Sequence, residues 1–158
     1  MGTSQELKNM RRDLSRRMRL YVGITIGFGF VSFISYHGGV PILIAPLAAS
    51  TCILFAAPNS PFARPKNVIL GHALSAAIGV VSNHCLGVDW LATTVCVAFA
   101  VAMMDATDTM HPPAAATSLL AFTTDQGYLF VFRPVALGAC ILVFASELVR
   151  FSIKEDDE

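Results

Sequence analysis

The sequence predicts an all-α membrane protein of about six segments, and three observations support this prediction. Apolar tracts cover most of residues 20–149, and the longest contain no Lys, Arg, Asp or Glu. Only 14% of the residues are charged, against roughly 25% in soluble domains. Prolines interrupt two of the tracts, and one proline-containing window recurs later in the chain. This composition excludes an ordinary soluble domain and indicates several membrane-spanning segments.

The two ends of the chain carry opposite charges. Residues 1–19 hold six of the eleven Lys and Arg residues, and residues 151–158 end in an acidic run. A basic segment before the first span is typical of the cytoplasmic side. No small-residue cleavage site follows it, so we expect neither a signal nor a transit peptide. We therefore expect a cytoplasmic segment 1–19, a transmembrane domain 20–150 and a tail 151–158. The expected location is a bacterial or cyanobacterial inner membrane rather than a plastid envelope.

Polar or helix-breaking residues divide the apolar part of the chain into six segments. They are 20–36, 41–57, 67–83, 89–104, 112–122 and 133–150. The second and fifth fall short of the ~20 residues that a membrane-spanning helix needs. Pro46 should interrupt the second, because an interior proline loses a hydrogen bond, and Pro112 and Pro113 should begin the fifth. Two short half-helices preceded by extended backbone are therefore predicted.

The basic residues distinguish two topologies. If all six segments cross, ten of the eleven Lys and Arg residues lie inside and only Arg133 lies outside. If the second and fifth segments are re-entrant, four cross, and the count becomes eight inside and three outside. The positive-inside rule favours six crossings with the amino terminus inside.

An internal repeat relates the two halves. Pro46 and the nine residues after it fall over Pro113 and the nine after it, with matching Ala-Ala pairs, adjacent hydroxyls and a final Phe. Chance similarity between alanine-rich helices is the alternative. A real repeat, about 20–86 and 87–153, would have three segments per half and so an inverted second half, as in secondary transporters. The amino ends of both half-helices would then meet at mid-membrane and attract a small anion through free amide groups.

Eight residues near these breaks are candidate substrate ligands. Imidazoles can donate hydrogen bonds or take up protons near neutral pH, and hydroxyls and helix starts can donate to an anion. The alternatives are helix capping or interhelical packing for the histidines, and bonding to their own helix for the hydroxyls. The candidates are His111, Pro112, Pro113, Thr117, His72, Pro46, Ser50 and Thr51.

A second group of polar residues is expected at the mouth of a pore, namely Arg64, Lys66, Asn67, Asp105 and Asp108. The two carboxylates are three residues apart and could hold a cation or a proton, but a helix that ends in water is the favoured interpretation. A metal site made of His72, His111, Asp105 and Asp108 is the alternative function, since these ligand types suit a divalent metal. No HxxxH or HExxH spacing supports it, so we expect no metal and no cofactor.

Two stretches resemble a known family. Residues 58–72, and then Asp108-Thr-Met-His-Pro-Pro-Ala-Ala-Ala-Thr117, closely resemble the HPP family of integral membrane proteins, which is named for the triplet His111-Pro112-Pro113. The resemblance covers nearly all of 20–149. It implies four transmembrane helices, as members are usually described, and nitrite transport, as in a plant plastid branch. Many relatives have a glycine after the triplet, where this chain has Ala114, and this departure bears on substrate specificity.

The expected function is therefore a transporter or channel for a small monovalent anion, nitrite foremost. No Walker motif, phosphate-binding loop or nucleophile elbow is present, so enzymatic activity is not expected. The expected partners are a small inorganic anion, the lipid bilayer and further copies of the chain in a homo-oligomer. Nucleic acid is not an expected partner.

Overall fold

The computed structural model describes residues 2–37 and 45–155, and every regular element in these ranges is helical. Six α-helices follow one another: α1 Gly2–His37, α2 Ala45–Ala56, α3 Pro65–Cys85, α4 Trp90–Ala106, α5 Pro112–Thr123 and α6 Leu137–Glu155. A 3-10 turn, Pro61–Ala63, precedes α3, and a π-helical turn, Val131–Ala136, precedes α6. The all-α prediction of about six segments is confirmed. The basic segment 1–19 was not predicted to be helical, yet its described part is continuous with the first span.

The sequence explains where several helices begin. Asp89 Oδ1 accepts hydrogen bonds from the amides of Leu91 and Ala92 and so caps α4. Helices α3 and α5 begin at prolines, whose missing N–H would have no partner in a first turn. Helix α2 begins one residue before Pro46. Helices α2 and α5 each have 12 residues, or about 18 Å, so they are short, as the sequence predicts. The extended backbone expected before α2 lies outside the described residues.

Within the described ranges, three helical stretches are long and apolar enough to cross a membrane: Leu20–His37, Pro65–Cys85 and Val131–Phe151. Ala45–Ala56 and Trp90–Ala106 are apolar but shorter. The chain is an all-helical membrane protein that combines full-length and short helices.

Contacts between helices show which ends of them lie together. Arg150, near the end of α6, donates a hydrogen bond to the carbonyl of Pro58, just after α2. The ring of Phe55, in the last turn of α2, lies against Gly23 in the first part of the apolar stretch of α1. We call this end of the bundle the Pro58 end.

The opposite end is marked by the rings of His84 and Tyr128, whose centroids are 5.0 Å apart. Asn83, near the end of α3, donates to the carbonyl of Phe122, near the end of α5, at 2.6 Å. We call this end the Tyr128 end. In a four-crossing topology, Pro58 and Arg150 would lie on opposite faces of the membrane, and so would His84 and Tyr128. The packing therefore favours six passes.

Helices α2 and α5 run in opposite directions between these ends. Their first residues, 45 and 112, differ by 67, which is the offset that superposes Pro46 on Pro113. The same offset places Ser50 over Thr117. These features agree with an inverted repeat, although the superposition of the two halves stays a prediction.

Helix α3 packs most extensively against α5, and two glycines permit this close approach. A Cβ added to Gly79 would lie 2.4 Å from the carbonyl oxygen of Ser118, and one added to Gly71 would lie 2.8 Å from that of Thr109. The absence of side chains at these two positions brings the start of α5 against the second turn of α3.

Candidate functional site

Four polar side chains from three helices meet in the interior. Ser50 of α2, His72 of α3, His111 just before α5 and Thr117 in the middle of α5 are all fully buried. Ser50 Oγ lies 2.7 Å from His72 Nε2 and 2.8 Å from His111 Nε2. His72 Nδ1 lies 2.7 Å from Thr117 Oγ1, and His111 Nδ1 lies 2.8 Å from the carbonyl oxygen of Phe62. We call these four side chains the histidine cluster.

The donors and acceptors of the histidine cluster fix the direction of its hydrogen bonds. A carbonyl can only accept, so His111 Nδ1 carries a hydrogen and donates to Phe62. In a neutral imidazole the Nε2 atom is then bare, so its contact with Ser50 is a hydrogen bond only when the Ser50 hydroxyl donates to it. Ser50 in turn accepts from His72 Nε2–H, and His72 Nδ1 accepts from the Thr117 hydroxyl. With both rings neutral, one directional chain runs from Thr117 to the carbonyl of Phe62.

Ser50 also has a second acceptor within reach. Its Oγ lies 3.0 Å from the carbonyl oxygen of Pro46, one turn earlier in α2. A hydroxyl has one hydrogen, so it can donate to His111 or to Pro46 but not fully to both. When both rings are neutral, one of these two acceptors, either His111 Nε2 or the carbonyl oxygen of Pro46, therefore receives no hydrogen bond from Ser50.

The structure brings together most of the predicted ligands, and their role as ligands stays a prediction. Pro113 is buried, whereas Pro112 is exposed. Thr51 is buried but bonds only the carbonyl of Leu47 in its own helix, at 3.0 Å. A bond of this kind was the alternative to a ligand role for the hydroxyls. Thr51 is therefore not part of the cluster.

The predicted pore-mouth residues lie at the Pro58 end. Lys66 Nζ is 3.4 Å from Asp108 Oδ2, and both side chains are exposed. Arg64 and Asp105 are also exposed. Asn67 is buried and its Nδ2 donates to the carbonyls of Pro61 and Met110, each at 3.1 Å. Asn67 thus ties together the two segments that lead into α3 and α5, which closes this end of the bundle over the cluster.

A cleft of about 780 Å³ opens at the Tyr128 end between α2, α5 and the turn before α6. Its lining is mostly apolar and includes Pro46, Ala116, Thr123, Gln126 and Arg133. Pro46 connects the cleft with the histidine cluster, because its carbonyl is the second acceptor of Ser50. A volume of this size lies within the range of small-molecule sites, roughly 300–1,000 Å³.

Two groups near the site were not predicted from the sequence. Arg133 was expected only as a solitary outer charge, but it lines the cleft, and its position between segments five and six was the available signal. The carbonyl of Phe62 had no signal at all, because any residue can supply a backbone oxygen. Its position against His111 depends on the 3-10 turn, which no residue pattern predicted.

The amino end of α5 has fewer free amide groups than expected. Pro112 and Pro113 have no N–H, and the amide of Ala114 bonds the carbonyl of His111 at 2.9 Å. The two prolines that start the helix thus remove the donors that an anion would need. Hydrogen-bond donors near the site come instead from the imidazoles, the hydroxyls and Arg133.

The four residues of the alternative metal site do not converge. His72 and His111 are buried, whereas Asp105 and Asp108 are exposed at the surface of the Pro58 end. Among the described residues, no group of three or more His, Cys, Asp or Glu side chains is arranged to hold a metal ion. The paired imidazoles bond a serine, a threonine and a carbonyl, so their nitrogens already have partners.

Comparison with known proteins agrees with this architecture. The sequence pattern described as "HPP, transmembrane region" matches residues 9–156. Two transmembrane proteins of Dictyostelium discoideum are 29% and 30% identical, over 95% and 92% of this chain. The chain spans about half the length of these curated relatives, 57% and 50% respectively. No solved structure matches the chain.

Proposed function

The chain belongs to the HPP transmembrane-region family, and from that premise we propose that it carries a small monovalent anion, nitrite foremost, across a membrane. One observation supports the proposal above all others. A buried cluster of two imidazoles and two hydroxyls is linked, through the contact of Ser50 with the carbonyl of Pro46, to a cleft that opens at one end of the bundle and has Pro46 in its lining. Ionisable groups at such depth in a membrane protein are costly and usually functional.

The positive charge in the lining of the cleft favours the binding of an anion. Among the described residues of its lining, Arg133 carries a positive charge and no carboxylate is present. A guanidinium at the mouth of an apolar cleft raises the local concentration of anions. Thr123 and Gln126 add hydrogen-bonding groups in the same lining. These features favour a small, singly charged guest over a cation.

The opposite end of the site is closed, which favours a carrier over an open channel. The carbonyl of Phe62 bonds His111, and Asn67 bridges the segments before α3 and α5. An anion that leaves toward the Pro58 end must displace these contacts. By the positive-inside rule this end faces the cytoplasm, so the cleft faces outward. A homo-oligomer is the expected assembly, and a bacterial or cyanobacterial inner membrane is the expected location.

An enzymatic serine is the competing function, because Ser50 lies within hydrogen-bond reach of two imidazoles, as an activated nucleophile does. Ser50 Oγ is however fully buried, and two imidazole nitrogens and the carbonyl of Pro46 already lie within hydrogen-bond distance of it. A fluorophosphonate that labels activated serines should leave the purified protein unlabelled. Stoichiometric labelling of Ser50 would favour the enzyme.

Exchange of ¹⁵N-nitrite in liposomes tests the transport proposal. Vesicles that contain the purified full chain and unlabelled nitrite should take up external labelled nitrite faster than empty vesicles, and excess unlabelled external nitrite should slow this uptake. Exchange equal to that of empty vesicles would overturn the proposal. Exchange is a suitable measurement because it needs no net movement of charge or protons.

A further inference from the structure

We propose that the histidine cluster binds one proton together with the transported anion, so that the protein is an electroneutral proton–anion symporter. This inference rests on the proposed transport function and names its coupling ion. It follows from the number of hydrogen atoms that the contacts around Ser50 require.

Three polar atoms surround Ser50 Oγ at hydrogen-bond distance: His72 Nε2, His111 Nε2 and the carbonyl oxygen of Pro46. A hydroxyl accepts two hydrogen bonds and donates one. All three contacts are therefore satisfied together only when both Nε2 atoms carry hydrogens and Ser50 donates to Pro46. With neutral rings, only two of the three contacts are hydrogen bonds.

The added hydrogen has a defined place. His111 Nδ1 already holds a hydrogen, because it donates to the carbonyl of Phe62. A proton taken up by the lone pair of His111 Nε2 makes that ring an imidazolium, whose Nε2–H then donates to Ser50. The Ser50 hydroxyl rotates from His111 to the carbonyl of Pro46. His72 keeps its neutral form and its bond from Thr117, so no polar atom of the cluster loses its partner.

The charge of this imidazolium has no carboxylate to balance it. Within residues 45–150, which include the helices packed around the cluster, the charged side chains are Arg64, Lys66, Asp89, Asp105, Asp108, Asp125, Arg133, Glu147 and Arg150, and none of them is buried. Among the described side chains, no Asp, Glu, Lys or Arg is buried. An unpaired buried charge is unfavourable, so the protonated cluster is stabilised by an anion in the cleft, whose lining includes Pro46.

Coupling follows from reciprocity. If the anion favours the protonated cluster, the proton must favour anion binding by the same factor. The rearrangement of Ser50 then links them, because its new acceptor, Pro46, also lines the cleft. A proton and a monovalent anion that move together carry no net charge across the membrane.

Liposomes containing the full chain distinguish this mechanism from plain anion transport. Net nitrite uptake, corrected for empty vesicles, is measured under a pH gradient or under a potassium diffusion potential set with valinomycin. For one proton per anion, a gradient of one pH unit corresponds to about 1.4 kcal/mol and so to about tenfold accumulation. We expect the pH gradient to drive uptake and the potential to have no effect on its rate.

The outcomes separate the two proposals. Uptake that follows the potential and ignores the pH gradient, in vesicles that exchange ¹⁵N-nitrite, would overturn proton coupling and leave anion transport standing. Absence of exchange would overturn both.

In His111→Asn, an amide can still donate toward Phe62 but cannot take up a proton, so the ratio of pH-driven uptake to exchange should fall several-fold. Ser146→Ala, which removes a buried hydroxyl bonded only within α6, should keep the ratio of the wild type; an unchanged ratio in His111→Asn would also overturn proton coupling.

Discussion

Ser50 is the residue on which the histidine cluster depends, because both imidazoles bond its single oxygen atom. Each buried polar group that loses its partner costs about 1–3 kcal/mol. In Ser50→Ala, both Nε2 atoms lose theirs, so we expect a clear fall in the thermal unfolding midpoint in detergent. Ser146→Ala is the matched control, and its unfolding midpoint should fall much less. Equal shifts in the two variants would show that the hydrogen bonds of Ser50 stabilise the fold no more than the bond of Ser146 does.

Arg133 acts at longer range than the cluster. In Arg133→Gln the cleft loses its positive charge, so the nitrite concentration for half-maximal exchange should rise several-fold, with little change in the maximal rate. The effect should shrink as salt is added, because ions screen the field of an exposed charge within ~10 Å at 0.1 M. Arg133→Lys keeps the charge and should stay close to the wild type. A Gln variant whose salt dependence matches the wild type would exclude a role in attracting the anion.

The contact between α3 and α5 positions three of the four cluster residues, and Gly79 is where these helices are closest. A methyl group there would lie 2.4 Å from a backbone oxygen of α5, which cannot move independently. We expect Gly79→Ala to lower stability by about 1–3 kcal/mol, as overpacking does. Gly29→Ala is the control, since nothing lies within 4 Å of its added Cβ and alanine favours the helix. Detergent unfolding curves of the two variants should diverge in opposite directions, and a Gly79 variant as stable as the wild type would contradict the packing.

Element boundaries were largely predictable, whereas the contents of the site were predictable only in part. Prolines fixed the starts of α2 and α5 to within one residue, because the chemistry of proline is local. His72, His111, Ser50 and Thr117 were found because polar groups in apolar segments are conspicuous. The bond from His111 to Phe62 and the place of Arg133 in the cleft depend on how distant segments pack, which no local pattern contains. The expectation of free amides at α5 failed because the same prolines that start the helix remove its first donors.

At the scale of the whole molecule, the direction of α2 and α5 determines which surfaces face each side of the membrane. Cysteines introduced at Ser60 and Gly127, in a background without Cys52, Cys85, Cys96 and Cys140, report this directly. Six passes place the two positions on opposite faces, so an impermeant maleimide applied to intact cells should label only Gly127→Cys. Four passes would place both outside. Labelling of both positions would contradict the arrangement of the Pro58 and Tyr128 ends.

The transport proposal treats the cleft and the histidine cluster as one pathway, and exchange of ¹⁵N-nitrite in liposomes containing the Ser50→Ala or the Ser146→Ala variant tests that most directly. Both variants lose one buried hydroxyl, but only Ser50 joins the two imidazoles to Pro46, which lines the cleft. We expect Ser146→Ala to exchange nitrite like the wild type and Ser50→Ala to lose most of its exchange while remaining folded. Equal exchange by the two folded variants would mean that the anion does not depend on the cluster, and the central claim would be wrong.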